Sequence, residues 1–283
     1  MLGAGRIAKD AHTCAGEVVV LAAHGAQADC DPAGFASILA ERLRQRRCFA
    51  AVEVAFLHGK PHLAEVLDRL DRHDLCVVPL FAGQGYHARV AIPAAIRASR
   101  AARSGCRIRL MAALGTHPAY IESLARRMRR LAGRRGVDTA RGTLLAVGHG
   151  CPRTANTDDA ADKLAAALRP DFAVSLPEYL RGDPPVWRWR EVAQTVDTVV
   201  VPLLFGAGRH ARVDIPLLFG LPDAPPPDGD GMSGPWPNAG RRLWYATLPP
   251  TGASDADAVV DLVQRGSLSG VPTDAEPHLG RAA

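Results

Sequence analysis

One segment occurs twice in this 283-residue chain, and each copy follows a run of apolar residues. The first copy reads LCVVPLF at 75–81 and then GQGYHARVAIP at 83–93. The second reads DTVVVPLLF at 197–205 and then GAGRHARVDIP at 206–216. A repeat of this length predicts two halves built on one plan, each with a buried strand, a glycine-flanked histidine loop and a helix.

The rest of the first half alternates short apolar runs with segments whose apolar residues recur at helical spacing. EVVVLAA at 17–23 is typical of a buried strand, and PAGFASILAERLRQRR at 32–47 is typical of an amphipathic helix with arginines on its outer face. The predicted strands of this half are 17–23, 52–57, 75–81 and 107–114, and its predicted helices are 32–47, 61–73, 93–103 and 117–131.

A polar, glycine-bearing linker at 134–142 separates the first half from a second cycle of strands and helices. The strand predicted at 172–180 is a weak one, because Pro177 cannot donate to a ladder. The segment 221–240 is rich in proline and glycine, and we expect an irregular insertion there. The other predicted strands of this half are 143–147, 197–205 and 241–248, and its predicted helices are 156–169, 184–194 and 254–266. Tails are predicted at 1–16 and 267–283, and we expect the second tail to be disordered.

Strands that alternate with helices predict a parallel sheet covered by helices on both faces. The expected fold is therefore α/β, with two tandem doubly wound parallel-sheet domains of flavodoxin-type strand order, related by internal duplication. The domains are predicted at 17–133 and 143–266. Duplication further predicts that the two halves close on each other as an intramolecular pseudo-dimer.

Composition excludes several classes of protein. Apolar residues make up 47% of the chain, which is too many for a mostly disordered protein. No apolar run approaches the roughly 20 residues of a membrane helix, and the N-terminus lacks the apolar stretch of a secretory signal. Six scattered cysteines without a CxxC pair predict reduced thiols rather than disulfides or a zinc ribbon. Together these features predict a cytoplasmic protein without a membrane partner.

The chain carries a net charge of +5, supplied almost wholly by arginine. Such a charge suits nucleic acid, an anionic ligand or solubility alone. No nucleic-acid-binding module is recognisable, so we expect no nucleic-acid partner. There is no GxxxxGK[ST] loop either, so no bound nucleotide is predicted.

Two histidines in each half fall where a predicted strand ends. His24 and His149 follow the first strand of their halves, and His87 and His210 follow the third strand, 63 and 61 residues further along. In a flavodoxin-type sheet these strands are neighbours, and ligands bind beyond their carboxyl ends. A lone loop histidine is usually a surface residue, but matched pairs beside glycines predict a site in each half.

Two converging imidazoles without cysteine suit a borderline divalent ion such as Co²⁺, Ni²⁺, Fe²⁺ or Zn²⁺. They equally suit general bases that work near neutral pH. An ion held by so few protein ligands keeps open positions, which indicates transit or catalysis rather than a structural role. Arg89, Arg97 and Arg212 lie near the loops and either favour an anionic partner or are solvated surface charges.

Three motifs resemble those of the sirohydrochlorin chelatases: AHG after strand one, VEVAFLHGKP at strand two, and VVPLF followed by GYHARVAIP after strand three. The resemblance covers 17–133 well and 143–220 recognisably, through VGHG and VVVPLLFGAGRHARVDIP. It implies insertion of Co²⁺, Fe²⁺ or Ni²⁺ into a sirohydrochlorin-like tetrapyrrole without ATP, a lyase reaction of cobalamin or siroheme biosynthesis. By this resemblance the residues that handle metal and pyrrole protons are His24 and His87, with His149 and His210 as a candidate second site.

The chain departs from the family pattern after strand two. Many relatives carry a glutamate where this chain has His58 and, in the second half, Arg181. An imidazole at position 58 can still bind a metal ion, whereas the guanidinium at position 181 cannot. The predicted metal ligands are therefore His24, His58 and His87.

We accordingly expect one principal site, in the first half, with the second half shaping the cleft. The candidate substrate-binding residues are Gly85, Tyr86 and Arg89, and Tyr86 is replaced by Arg209 in the second half. Two alternatives stay open. One is a metal or tetrapyrrole carrier without turnover, and the other is a different α/β enzyme such as a phosphate-ligand transferase, which the absence of a phosphate loop disfavours.

Overall fold

The computed structural model describes most of the chain. The described residues are 16–25, 34–47, 49–70, 74–104, 106–150, 160–205, 210–221 and 231–246, together with Val260 and Val263. The predicted tails, apart from Gly16, and most of the helix predicted at 254–266 lie outside these residues. Val260 and Val263 are helical and fully buried.

Four parallel strands form the sheet of the first half, in the order β2-β1-β3-β4. β1 is central, and its five inner residues are buried because helices cover both faces of the sheet. Placing β1 between β2 and β3 confirms the flavodoxin-type order and puts a topological switch point between β1 and β3. The elements are β1 (Glu17–Ala23), α1 (Phe35–Arg46), β2 (Ala51–Phe56), α2 (Leu63–Arg69), β3 (Asp74–Pro79), α3 (Ile92–Ala98), α4 (Arg100–Arg103), β4 (Ile108–Leu110) and α5 (Pro118–Arg135).

The second half repeats this plan in a five-stranded sheet of order β6-β5-β7-β9-β8. β5, β6, β7 and β9 are parallel, and β8 is antiparallel to β9 at the edge. The weak strand around Pro177 forms, because β6 is an edge strand that pairs with β5 alone. The elements are β5 (Thr143–Gly148), α6 (Ala160–Leu168), β6 (Val174–Tyr179), α7 (Trp189–Val192), β7 (Asp197–Pro202), α8 (Ile215–Leu218), β8 (Met232–Asn238) and β9 (Arg241–Ala246).

The prediction of an irregular insertion at 221–240 is wrong for its last ten residues. They form β8 and a two-residue turn at Ala239 and Gly240, whose φ angles of 47° and 80° suit a tight hairpin. A register shift between Ser233 and Trp236, at Gly234 with φ 121°, accommodates the glycine and prolines. β8 needs ladder bonds on one side only, so an edge strand tolerates the missing N–H groups.

The helix that follows each histidine loop begins in an unusual way. Residues His87–Ala91 form a π-helical turn that continues into α3, and residues His210–Asp214 form another that continues into α8. Such π-turns are rare and often occur at functional sites. In both halves the loop histidine is the first residue of the turn. The predicted helix at 93–103 is thus extended at its start and divided into α3 and α4.

One apolar core runs through both halves. Met128 of α5 and Leu164 of α6 belong to the same buried cluster, together with residues of β1 and β7. Arg129 Nε donates to Asp171 Oδ2 at 2.9 Å across the boundary between the halves. α5 runs to Arg135 and so takes up the start of the predicted linker. Among the described helices, none has the length and apolar character needed to cross a membrane.

Glu178 in β6 is a buried carboxyl group, and its ionisation destabilises the folded protein. It is 1% exposed, and its Oε2 has no hydrogen-bond partner. Burial raises its pKa to about 7, with Asp183 adding to the shift and Arg188 opposing it. Because the folded-state pKa exceeds the unfolded one, the folded protein loses stability as pH rises from about 4.5 to 7.

We expect Glu178→Gln to stabilise the protein in a pH-dependent way. Glutamine keeps the shape of the side chain and removes the buried negative charge. The gain in unfolding free energy should be about 2 kcal/mol greater at pH 8 than at pH 5, since one pKa unit corresponds to about 1.4 kcal/mol. Urea unfolding of the unaltered protein and of Glu178→Gln at pH 5 and pH 8 measures this gain. The same gain at both pH values would show that ionisation of Glu178 is not the cause.

Candidate metal centre

Strands β1, β2 and β3 bring three histidines to one edge of the first sheet. His24 directly follows β1, His58 lies two residues after β2, and His87 begins the π-turn after β3. The backbone N–H of His58 donates to the carbonyl of His24 at 2.9 Å, which ties the two loops together. Gly25, with φ 74°, lets the chain turn away directly beneath the carbonyl of His58. The sheet topology therefore joins residues that are 63 positions apart.

The three imidazoles form a compact cluster. Ring centroids are 4.9 Å apart for His24 and His58, 4.6 Å for His24 and His87, and 5.9 Å for His58 and His87. One nitrogen from each ring lies within 4.8 Å of the others. Nitrogens bound tetrahedrally at about 2.1 Å from one ion are roughly 3.4 Å apart. Small rotations of the rings would therefore bring all three nitrogens to the spacing that one ion requires. The cluster fits a divalent ion of borderline softness.

Local contacts prepare two of these rings for an ion. Nδ1 of His24 is 2.7 Å from the carbonyl oxygen of Gly25, so Nδ1 carries the proton and Nε2 presents a lone pair. His87 stacks on Phe81, with centroids 5.9 Å apart and ring planes 14° apart. Burial lowers the pKa of His87, and the positive charges that His24, His58 and His149 can carry lower it further. His87 therefore stays neutral, and able to bind a metal, at pH values where an ordinary histidine is protonated.

The second half repeats the geometry of the loops with different chemistry. The rings of His149 and His210 have centroids 5.3 Å apart, and Gly150 takes φ 71° beside Arg181. Arg181 donates its backbone N–H to the carbonyl of His149 at 2.9 Å, the same bond that His58 makes to His24. Arg181 therefore occupies the place of the third imidazole. The second half has a pair of histidines where the first has three.

The two sets of histidines belong to one region of the molecule. His149 contributes to the lowered pKa of His87, which places the second-half pair within electrostatic reach of the first-half cluster. The backbone N–H of Ala160 donates to the carbonyl of Ala82 at 3.1 Å, next to the first histidine loop. Phe205, at the end of the run after β7, lies 5.6 Å from Phe35, ring centre to ring centre. Contacts between the halves therefore lie close to the first histidine loop.

The predicted substrate-binding residues are exposed near the cluster. Tyr86 is 67% exposed, with its ring 5.7 Å from that of His87. Gly85 accepts a bond from the backbone N–H of Arg89, and a Cβ atom on Gly85 would meet nothing within 4 Å. Both this loop and the arginine side chain are open to solvent. An approaching ligand can reach all three residues.

Other histidines lie apart from the cluster. His62 caps α2 by accepting the N–H of Ala64, and His117 precedes α5, where burial lowers its pKa. His73 lies outside the described residues. Sequence reasoning missed Asp214, whose Oδ2 is 2.6 Å from Nδ1 of His210. The spacing of four residues within HARVD was the available signal, since the matching position of the first half is Ala91.

Two comparisons of sequence found similar proteins. The CbiX family model matches residues 18–131. The probable sirohydrochlorin cobaltochelatase of Halobacterium salinarum is 27% identical over 279 residues, covering 90% of this chain and 92% of that protein.

Solved structures share the fold. SirB from Bacillus subtilis with Fe³⁺ has a TM-score of 0.63 at 18% identity, over 88% of this chain and 95% of that one. A multi-domain protein from Deinococcus radiodurans with structural similarity to chelatases has a TM-score of 0.62 at 24% identity. The match covers 88% of this chain and 54% of the Deinococcus protein. The chain is thus similar to the sirohydrochlorin chelatases in its strand-end histidine motifs and its paired α/β sheets, and its residues 18–131 match the CbiX family.

Proposed function

We propose that this protein inserts a divalent metal ion, Co²⁺ or Fe²⁺, into sirohydrochlorin or a closely related tetrapyrrole without using ATP. The observation that carries the proposal is the cluster of His24, His58 and His87 at the switch point of the first sheet. Three neutral imidazoles bind such an ion and leave further coordination positions open. The ion is then a substrate in transit, which the site must also release.

The chemistry of metal insertion explains why such a site is useful. The ion must exchange its ligands for ring nitrogens one by one, and the ring must lose two protons. An imidazole ligand is displaced without leaving a charge behind, and the open positions admit the first ring nitrogen. The lowered pKa of His87 keeps a lone pair available for the incoming ion. The new metal–nitrogen bonds supply the driving force, so no nucleotide is required.

The surroundings of the cluster suit an anionic macrocycle. Sirohydrochlorin carries carboxylates around its rim, and the chain has a net charge of +5. Arg89, Arg181 and Arg212 are exposed and lie next to the histidine loops of the two halves. Guanidinium groups bind carboxylates through paired hydrogen bonds. We propose that these arginines, with Gly85 and Tyr86, hold the substrate over the first-half cluster.

Cobalt and iron are the favoured metals. The Halobacterium relative is a probable sirohydrochlorin cobaltochelatase, and the Bacillus protein was solved with Fe³⁺. Three nitrogen ligands accept Co²⁺, Fe²⁺ and Ni²⁺ alike, so the donor set alone does not choose among them. The proposed role lies accordingly in cobalamin or siroheme biosynthesis.

A spectrophotometric assay tests the proposal. We expect the purified protein to accelerate the absorbance change of sirohydrochlorin with Co²⁺ or Fe²⁺ over the rate without protein, in the absence of ATP. Ni²⁺ serves as the comparison metal, and the order of rates assigns the branch of the pathway. A folded protein that binds Co²⁺ or sirohydrochlorin tightly but gives no acceleration would favour the carrier alternative instead.

A further inference from the structure

We propose that the two halves divide the reaction: the first-half cluster holds the metal ion, and His210, positioned by Asp214, accepts the pyrrole protons. This inference rests on the proposed function and assigns a separate role to the second half. It makes His210 a catalytic residue and Asp214 a positioning residue. Four observations carry it: three compare matching positions of the two halves, and the fourth concerns how the halves meet.

The first observation is the contact between His210 and Asp214. The Nδ1 atom of His210 lies 2.6 Å from Oδ2 of Asp214, one helical turn further along the π-turn. The neutral ring therefore carries its proton on Nδ1, donates it to the carboxylate and presents the lone pair of Nε2. The carboxylate also offers a counter-charge when the ring accepts a second proton. A paired histidine and carboxylate of this kind is a common arrangement for a general base.

The second observation is that the first-half loop lacks this arrangement. Ala91 takes the place of Asp214, and Nδ1 of His87 is buried without a hydrogen-bond partner. No carboxylate at position 91 is therefore available to hold the tautomer of His87 or to balance a positive charge on it. The ring of His87 is suited to hold an ion and is poorly suited to accept protons.

The third observation is the exchange of His58 for Arg181 at the same backbone position. A guanidinium group stays protonated under all physiological conditions and cannot bind a metal ion. Its permanent charge beside His149 disfavours a second cation there and favours the carboxylates of the substrate. The second half thus has no metal ligand at this position, whereas its loop histidine has a carboxylate partner.

The fourth observation concerns the contact between the halves beside the histidine loops. The backbone N–H of Ala160 donates to the carbonyl of Ala82 at 3.1 Å, and the ring centroids of His149 and His210 are 5.3 Å apart. A flat macrocycle bound between the halves would have the ion on one side and the base on the other. Nitrogen lone pairs then face the metal while N–H groups face Nε2 of His210.

The proposed step is balanced in atoms and charge. An N–H bond of the pyrrole breaks, its proton goes to Nε2 of His210, and the electron pair left on nitrogen forms a bond to the divalent ion. The imidazolium ion passes the proton to water and accepts the second one in the same way. One divalent ion enters, two protons leave, and no redox partner is required.

The test compares turnover with metal binding in the full-length protein. We expect His210→Ala to lower kcat about 100-fold or more, as removal of a general base does. Co²⁺ titrated alone and followed by its visible absorption should bind with unchanged affinity. Asp214→Asn should lower kcat roughly 10- to 100-fold with little change in KM, since it removes a partner that orients the ring. Added imidazole should restore part of the activity of His210→Ala and none of that of His58→Ala, which should lose Co²⁺ affinity.

Controls separate this inference from the proposed function. Asp171→Asn removes a surface carboxylate that pairs with Arg129 and should keep full activity. Circular dichroism melting should show that the His210 and Asp214 variants are folded. Absence of acceleration by the unaltered protein would refute the proposed function itself. Acceleration that survives His210→Ala, or a loss of Co²⁺ binding in step with activity, would refute the division of roles alone.

Discussion

Replacing His87 by alanine should reduce metal insertion at least about 100-fold, because even outer partners of metal ligands are worth 10- to 100-fold and His87 is proposed to bind the ion directly. The ring lies 4.6 Å from that of His24, and its lowered pKa keeps it neutral. Co²⁺ affinity should fall in parallel with the rate. The measurement is the initial rate of sirohydrochlorin metallation together with a Co²⁺ titration of the same sample.

The His87 experiment needs a folding control and a histidine control. His87 is only partly buried and begins a π-turn at the edge of the sheet, so the midpoint of urea unfolding should change little. His62→Asn removes a nearby histidine that caps α2 and belongs to no cluster, and asparagine can still cap the helix. We expect normal rates from that variant. Unfolding of His87→Ala would indicate a structural role for the ring and argue against a metal ligand.

Replacing Gly25 by alanine should damage both the fold and the metal site. A Cβ atom there would lie 1.7 Å from the carbonyl oxygen of His58, and the φ angle of 74° disfavours any side chain. The colliding atom belongs to the backbone, so the loop that carries His58 must move. We expect a loss of about 2–4 kcal/mol in unfolding free energy, which is at the high end for a single change. Co²⁺ affinity should fall as well, because the cluster loses its third imidazole.

Gly16→Ala is the matched control at the other end of β1. A Cβ atom on Gly16 would meet nothing within 4 Å, so the same substitution should change stability by less than about 0.5 kcal/mol. Urea unfolding and a Co²⁺ titration of both variants make the comparison. If Gly25→Ala were as stable as Gly16→Ala, the close approach between the first two histidine loops would be wrong.

Much of the fold follows from features that depend on local sequence. The apolar runs predicted β1 and β7 within a few residues, since strands buried on both faces need continuous apolar sequence. The same reasoning placed His24 and His87 at neighbouring strand ends, because the order of a doubly wound sheet is nearly constant. His58 joined the predicted ligands only through the resemblance, because it stands where many relatives carry a glutamate.

Other features depend on tertiary context and could not be predicted. Proline and glycine suggested an irregular segment around Gly234, yet an edge position and a bulge turn it into β8. The π-turns at His87 and His210 look like ordinary helix starts in the sequence. The contact between Asp214 and His210 arises within such a turn, and its four-residue spacing in HARVD was the one local signal for it.

The shared core has a consequence for how such a site can change over time. In a dimer of identical chains, symmetry makes every substitution appear twice, so a residue that improves one site alters the other. Here each half has its own stretch of sequence in one chain, and the two halves pack together through Met128 and Leu164. Arg181 and Asp214 could therefore arise on one side without disturbing His58 and Ala91 on the other. Because the two halves are joined in one chain, they can take different roles while always being present in equal number.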